Sequence, residues 1–326
     1  MTMAQGPPVI TRLMGGLGNQ MFQYATGLAL SRRLGAPLLI DRTFLDARPA
    51  GMNWTARELE LDVFDLRIEA ADPSLIRDLR RQRRPVAIRR QTWFRERDKR
   101  YDPQFARLRA PVLLDGYWQS ELYFGNIASE LREQVFHQAG EPSQENLELL
   151  HLGASMSTAS VHVRCGDYLM DPAAAAYHGR PTRAYYEAAA AELFEKHGVR
   201  HFFIFSDEPA KARTFVHLPG GMTFVTHNTG RAAHWDLWLM RQCRYHIIAN
   251  SSFSWWGAWL NPSPTKVVIA PNTWFAGDPR PHDIVPSTWL RRGGSPIALR
   301  ATCPRSAAWW RWYVNSASAW CAAGTK

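Results

Sequence analysis

Short apolar runs recur along the chain, and most end in a polar or glycine-rich stretch that opens a helical pattern. Residues 9–14 read as a strand. Gly15, Gly16, Leu17 and Gly18 follow as a glycine loop. Asn19 then stands where an N-cap belongs for a helix running to about residue 34, with Gly35 as its stop. Residues 37–41 are the next strand, so the chain opens with a strand–turn–helix–strand unit, the start of a parallel sheet. Residues 57–64 alternate weakly as a strand, and residues 72–110 read as an Arg-rich helical face. A strand over 112–117 and a helix over 126–138 follow, then a Gly, Pro, Ser and Glu linker at 140–145.

The rhythm is clearer in the second half. Strands are predicted at 159–164, 201–205, 223–226, 246–249 and 267–270. Helices are predicted at 182–196, with Thr182 as cap and Gly198 as stop, and at 208–215, 232–241 and 252–260. The result is an α/β chain of two similar halves, 1–150 and 151–300, followed by a Trp-rich tail at 301–326. Ligands of open α/β sheets bind beyond the carboxyl ends of the strands, which predicts a site in the cleft where the halves face each other.

Length and composition fit this picture: 326 residues, 46% apolar and 21% charged, suit two soluble domains. The 14 tryptophans admit two readings, packed cores or a sugar-lined surface. The net charge of +10 favours anionic partners. Much of it is local, at Arg77, Arg80, Arg81, Arg83, Arg84, Arg89 and Arg90, read as a solvated helical face leaning on an anionic membrane surface. No nucleic-acid-binding module surrounds the cluster, so nucleic acid is not expected as a partner. Residues 1–10 show no basic and apolar leader, and no apolar run is long enough to span a bilayer. The four cysteines, Cys165, Cys243, Cys303 and Cys321, lack zinc spacing. The expectation is a cytoplasmic protein with reduced thiols, in peripheral contact with the inner membrane.

Four places carry candidate chemistry. Arg164 lies at the end of a strand, flanked by His162 and Asp167, and its planar fork suits a diphosphate. Asn250, Ser251, Ser252 and Ser254 crowd a helix start, where free N–H groups and the positive dipole end bind phosphate; ordinary capping by Ser252 is the alternative. Ser206 and Asp207 end a strand, where the carboxylate could take a guanine edge or a ribose hydroxyl, or cap the next helix. The glycine loop before Asn19 lets backbone approach a ligand. No Asp-X-Asp pattern is present to hold a metal on a diphosphate.

These segments resemble the α-1,2-fucosyltransferases of glycosyltransferase family 11. The similar stretches are GGLGNQMFQYATGLALSRRLG (15–35), DGYWQSELYF (115–124), VHVRCGDYL (161–169), FSDEPAKA (205–212), LMRQCRYHIIANSSFSWWGAWLN (239–261), VVIAPNTWF (267–275) and DIVPSTWL (283–290). They occur in family order. The resemblance implies a GT-B-like fold, two Rossmann-like domains facing across a cleft, with the acceptor on the first and GDP on the second. It implies an inverting transfer of L-fucose from GDP-β-L-fucose to the 2-OH of a galactoside, with no metal or other cofactor. Arg164 would hold the donor β-phosphate, with His162 and Asp167 beside it as catalytic candidates. Ser206, Asp207, Asn250, Ser251, Ser252, Ser254 and Asn19 would bind the donor. The chain departs from the family's His-X-Arg-Arg-X-Asp pattern at Cys165. Because successive strand side chains face opposite ways, Cys165 is expected to point away from the phosphate. Asp115, Glu121 and Asp167 are candidates for the general base. The competing readings are another GT-B-type transferase with a different sugar nucleotide or acceptor, and a non-catalytic carbohydrate-binding protein.

Overall fold

The computed structural model describes residues 6–46, 57–81, 92–165, 179–278 and 280–293. The first half holds β1 (Val9–Arg12), α1 (Leu17–Leu34), β2 (Leu38–Asp41), α2 (Pro73–Arg81), β3 (Trp93–Arg95) and β4 (Val112–Asp115). Its four strands form a parallel sheet in the order β2-β1-β4-β3. The second half holds α3 (Gln144–Ser155), β5 (Thr158–Val163), α4 (Arg183–His197), β6 (His201–Ser206), α5 (Pro209–Phe215), β7 (Gly221–Phe224), α6 (His234–Gln242), β8 (Tyr245–Ile247), α7 (Ser252–Trp259), β9 (Val267–Pro271) and β10 (Leu290–Arg292). Its six strands are also parallel, in the order β10-β9-β8-β5-β6-β7. This is the two-sheet, GT-B-like α/β architecture that the resemblance implies.

The strands are apolar because helices cover them: all six residues of β5 are buried. Helix α1 is buried at every position from Leu17 to Ser31 except Asn19. It is enclosed because α7, from the other half, packs against it. Trp255, Trp256 and Trp259 of α7 are buried in one apolar cluster with Phe22, Phe124 and Phe136 of the first half. Each indole N–H has an acceptor, as a buried Trp requires. Trp255 donates to the Ile284 carbonyl at 2.6 Å, Trp256 to the Gly18 carbonyl at 3.0 Å and Trp259 to Glu121 Oε2 at 2.9 Å. A buried ion pair also crosses the seam, with Lys99 Nζ 2.7 Å from Asp278 Oδ2. The seam is therefore a continuous core, and these tryptophans belong to it.

Several local expectations need correction. Residues 57–64 form no strand but a 3₁₀ turn, Leu61–Val63, and an isolated bridge from Phe64 to Gln138. Among the described residues of the stretch 72–110, the α-helix is α2, and the expected face gives way to β3 at Trp93–Arg95 and a 3₁₀ turn at Pro103–Arg107. Arg80 is not solvated: it lies 2.9 Å from the buried carboxylate of Asp41. The segment around 126–138 is one 3₁₀ turn, one α turn and a π turn. Helix α1 begins at Leu17 with Gly16 as cap, so Asn19 sits inside the first turn. The Leu17 N–H is taken instead by Glu60 Oε2 at 3.0 Å. Arg83, Arg84, Arg89, Arg90, Asp167 and the tryptophans of the tail lie outside the described residues.

Candidate functional site

The second sheet brings the ends of β5, β6 and β8 to one edge, since Val163 is in register with Ser206 and Val161 with Ile247. Beyond β5, Arg164 is half-buried and its Nη1 donates to Ser251 Oγ at 3.4 Å. Ser251, not Ser252, caps α7: its Oγ accepts from the Phe253 N–H at 3.3 Å. Ser254 donates to the Ser251 carbonyl at 3.4 Å, which steadies the same turn. Asn250 Nδ2 donates to the carbonyls of Gly179 and Trp274, both at 3.1 Å, and ties the helix start to two loops. A guanidinium thus meets the N-terminus of an eight-residue helix, two positive features converging at one strand edge.

Strand alternation sorts the neighbours. Val161, Val163 and Cys165 share one apolar cluster, with Tyr185 and Tyr186. His162 lies on the opposite face, its ring 6.0 Å from that of Phe253. Burial pushes its imidazole down to about 4, with Arg164 adding to the effect and Asp207 opposing it. It is therefore neutral near pH 7, and its Nδ1 has no hydrogen-bond partner among the described residues. Asp207 Oδ1 accepts from the Cys165 N–H at 2.8 Å, joining the turns after β5 and β6. Ser206 Oγ accepts from the Glu208 N–H at 3.1 Å. Asp207 therefore does not cap α5, whose start has no side-chain cap of its own.

The first half meets this edge through its glycine loop. A Cβ on Gly18 would lie 2.6 Å from both Phe253 N and Ser252 C. The glycine is needed for close contact between the two halves, a role distinct from the expected approach of backbone to a ligand. Gly15 has φ +74°, and a Cβ there would lie 2.6 Å from Asn19 Nδ2. Asn19 Oδ1 accepts from Gln119 Nε2 at 2.8 Å. The loop, Asn19 and Gln119 therefore border the same helix start that holds Arg164.

The glycosyl transferase family 11 sequence profile matches residues 8–290. The chain belongs to glycosyl transferase family 11. It is a glycosyltransferase. An α-1,2-colitosyltransferase of Escherichia coli is 32% identical over 300 residues, covering 87% of this chain and 98% of that protein. A galactoside α-(1,2)-fucosyltransferase 1 of Lagothrix lagotricha is 28% identical over 255 residues, covering 76% of this chain and 63% of the relative. Among solved structures, the fucosyltransferase NodZ from Bradyrhizobium aligns over 78% of this chain and 93% of its own, with 16% identity and a TM-score of 0.42. That alignment is too loose to transfer the role of any residue.

In this family 11 chain, two of the three proposed bases are engaged elsewhere. Asp115 pairs with Arg12 Nη1 at 3.3 Å and accepts from Trp93 Nε1 at 3.1 Å. Glu121 accepts from Trp259 as described above. Two acids near the site were missed. Glu60 supplies the acceptor at the start of α1, and burial pushes its carboxyl up. Glu96 accepts from the backbone N–H groups of Tyr117 and Trp118 at 2.7 and 2.9 Å. Burial pushes its carboxyl up to about 7, against those two bonds and Lys99. Neither acid has a sequence signal: Glu60 lies in a weakly patterned stretch, and Glu96 lies among arginines. Among the described residues no three His, Cys, Asp or Glu side chains gather as metal ligands, and no helix is long and apolar enough to cross a membrane.

Proposed function

We propose that this glycosyltransferase transfers L-fucose from GDP-β-L-fucose to the 2-OH of a galactoside, with inversion and without a metal. The observation that carries the reading is Arg164 set against the Ser251-capped start of α7 at the seam. The acceptor hydroxyl attacks the anomeric carbon opposite GDP. The new C–O bond forms as the bond to the diphosphate breaks, through an oxocarbenium-like transition state. Negative charge grows on the leaving GDP, where Arg164 and the N–H groups near Ser251 and Ser252 stabilise it. Asn19 contacts the donor from across the cleft. Asn250 and Ser254 hold the helix start, Ser206 and Asp207 frame the nucleoside side, and neutral His162 orients neighbouring groups. Asp167, three residues after Arg164 in the chain, is the proposed general base that takes the acceptor hydroxyl's proton. The lack of an Asp-X-Asp pattern supports a site in which Arg164 and helix N–H groups replace a cation.

The colitosyl relative favours a second reading of the donor. Colitose is fucose lacking the 3-hydroxyl, and a pocket that hydrogen-bonds that hydroxyl discriminates strongly against its absence. The test is to offer GDP-fucose and GDP-colitose with a panel of β-galactosides in EDTA, weigh the products and read the linkage by NMR. Fucose on galactose O2 supports the proposal. Product only from GDP-colitose moves the donor assignment, and loss of product in EDTA removes metal independence. A peripheral contact with anionic membranes, through exposed positions such as Arg77 and Arg81 on α2, is part of the proposal. It predicts binding to anionic vesicles at low salt that is lost at high salt.

A further inference from the structure

Asn19 is the one residue between Leu17 and Ser31 of α1 that is not buried. Its position follows from its neighbours. Gly18 presses on Ser252 and Phe253, so Asn19 emerges beside the start of α7. A side-chain amide in such a place has two faces with opposite hydrogen-bonding character, and a ligand meets either the carbonyl or the N–H pair. Which one it meets depends on what holds the other.

The Gln119 amide holds the Asn19 carbonyl at 2.8 Å, which turns Nδ2 over Gly15. Gln119 is in turn placed by a strained backbone. Trp118, next to it, has φ +55°, a left-handed conformation that a bulky residue adopts only when its surroundings impose it. Two contacts impose it. The Trp118 ring is fully buried and stacks on Phe94, with centroids 5.5 Å apart and planes 9° apart. The Glu96 carboxylate grips the turn with both oxygens, one on the Tyr117 N–H and one on the Trp118 N–H. Gly116 makes room for this grip, since a Cβ there would lie 2.4 Å from Glu96 Cβ.

We propose that Glu96 and Gln119 are positioning residues that together fix the Asn19 amide so that it presents its N–H pair to the bound sugar nucleotide. This rests on the donor contact assigned to Asn19 above. Glu96 sets the turn, the turn sets Gln119, and Gln119 sets which end of the Asn19 amide faces the cleft. The ligand group that fits is an oxygen acceptor, a diphosphate or sugar oxygen, and not a hydroxyl proton.

A double-mutant cycle tests the relay. Gln119→Ala and Glu96→Gln, the latter putting an NH₂ against a backbone N–H, should each lower kcat about 10- to 100-fold, as loss of an orienting partner does elsewhere. Neither should lower it further when combined with Asn19→Ala. Equal losses with and without Asn19, or no loss from Gln119→Ala in a chain that melts normally, would overturn the proposal. A second readout needs no activity: the Asn19 side-chain amide signal in ¹⁵N spectra, identified by its disappearance in Asn19→Ala. It should shift in both Gln119→Ala and Glu96→Gln. An unmoved signal would refute the relay, whereas a moved signal in a protein that transfers no fucose would refute only the donor assignment.

Discussion

At the residue scale, Arg164 and Cys165 illustrate how one backbone step separates two chemistries. Arg164 reaches Ser251 at the strand edge, while Cys165 falls in the apolar cluster with Val163, with burial pushing its thiol up. Arg164→Ala is expected to reduce kcat about 10²- to 10³-fold, by analogy with other donors that stabilise developing charge. Near-normal turnover in steady-state assays would remove Arg164 from the mechanism. Cys165→Arg, which would restore the family pattern, has to place a guanidinium among apolar side chains. It should lower the melting temperature and change the donor KM less than about tenfold, roughly 1.4 kcal/mol. A larger gain in donor affinity would show that the phosphate anchor had been misplaced. Arg164, Ser251 and Asp207 were readable as candidates because polar residues at strand ends follow from the alternating pattern. Glu96 and Gln119 were not, because their roles depend on a backbone turn at Trp118 that no local pattern announces.

At the scale of elements, α7 depends on a residue far from it in sequence. Its first turn packs on Gly18 so closely that Gly18→Ala must displace either the glycine loop or the helix start. We expect a loss of about 1–3 kcal/mol in urea denaturation, with turnover falling more steeply than stability, since the same turn faces Arg164. Unchanged activity in this variant would mean that the glycine loop and α7 move independently. The helices and strands with complete signals were legible. Helix α4 begins at Thr182, whose hydroxyl accepts from the Tyr185 N–H at 3.2 Å, and stops at Gly198 with φ +68°. The elements that escaped were those whose partners are remote. Strand β3 has only three residues in an Arg-rich stretch, and it exists because β4 pairs with it. The stretch 57–64 fails as a strand because its backbone bonds the side chain of Gln20 in α1, through the Glu58 carbonyl and the Glu60 N–H, and because Phe64 bridges to Gln138.

At the scale of the whole molecule, the seam is built like an interior. Lys99 lies against the Phe275 ring at 3.6 Å while pairing with Asp278, and the Tyr101 N–H donates to Asp283 at 2.8 Å. Lys99→Ala should destabilise the whole chain by about 3 kcal/mol or less, below the usual loss for a broken buried pair, because Arg280 also holds Asp278. One cooperative urea transition for both halves is the expected form; two separate transitions would show that the seam does not couple them. Stability should also depend on acidity. Burial pushes His162 down to about 4 and His246 down to about 3. The unfolded chain therefore binds protons near pH 6.5 that the folded chain refuses. Their contribution is full above about pH 6.5 and is lost as pH falls toward 4, read as a falling melting temperature. His246→Gln should flatten that fall, and an identical slope in the variant would assign it to other groups.

The sequence by itself determined the alternation of strands and helices, the parallel sheets, and the family, because these rest on local periodicity, caps and motif order. It also supplied the expectation that Arg164 and Cys165 face opposite ways, and the structure keeps that arrangement in the two residues just beyond β5. Only the tertiary structure decided that Gly18 serves contact between the two halves, that the tryptophans of α7 fill the seam, and that Glu96 and Gln119 stand behind Asn19. Each of those depends on residues scores of positions apart meeting within a few ångströms, and no local pattern carries that distance.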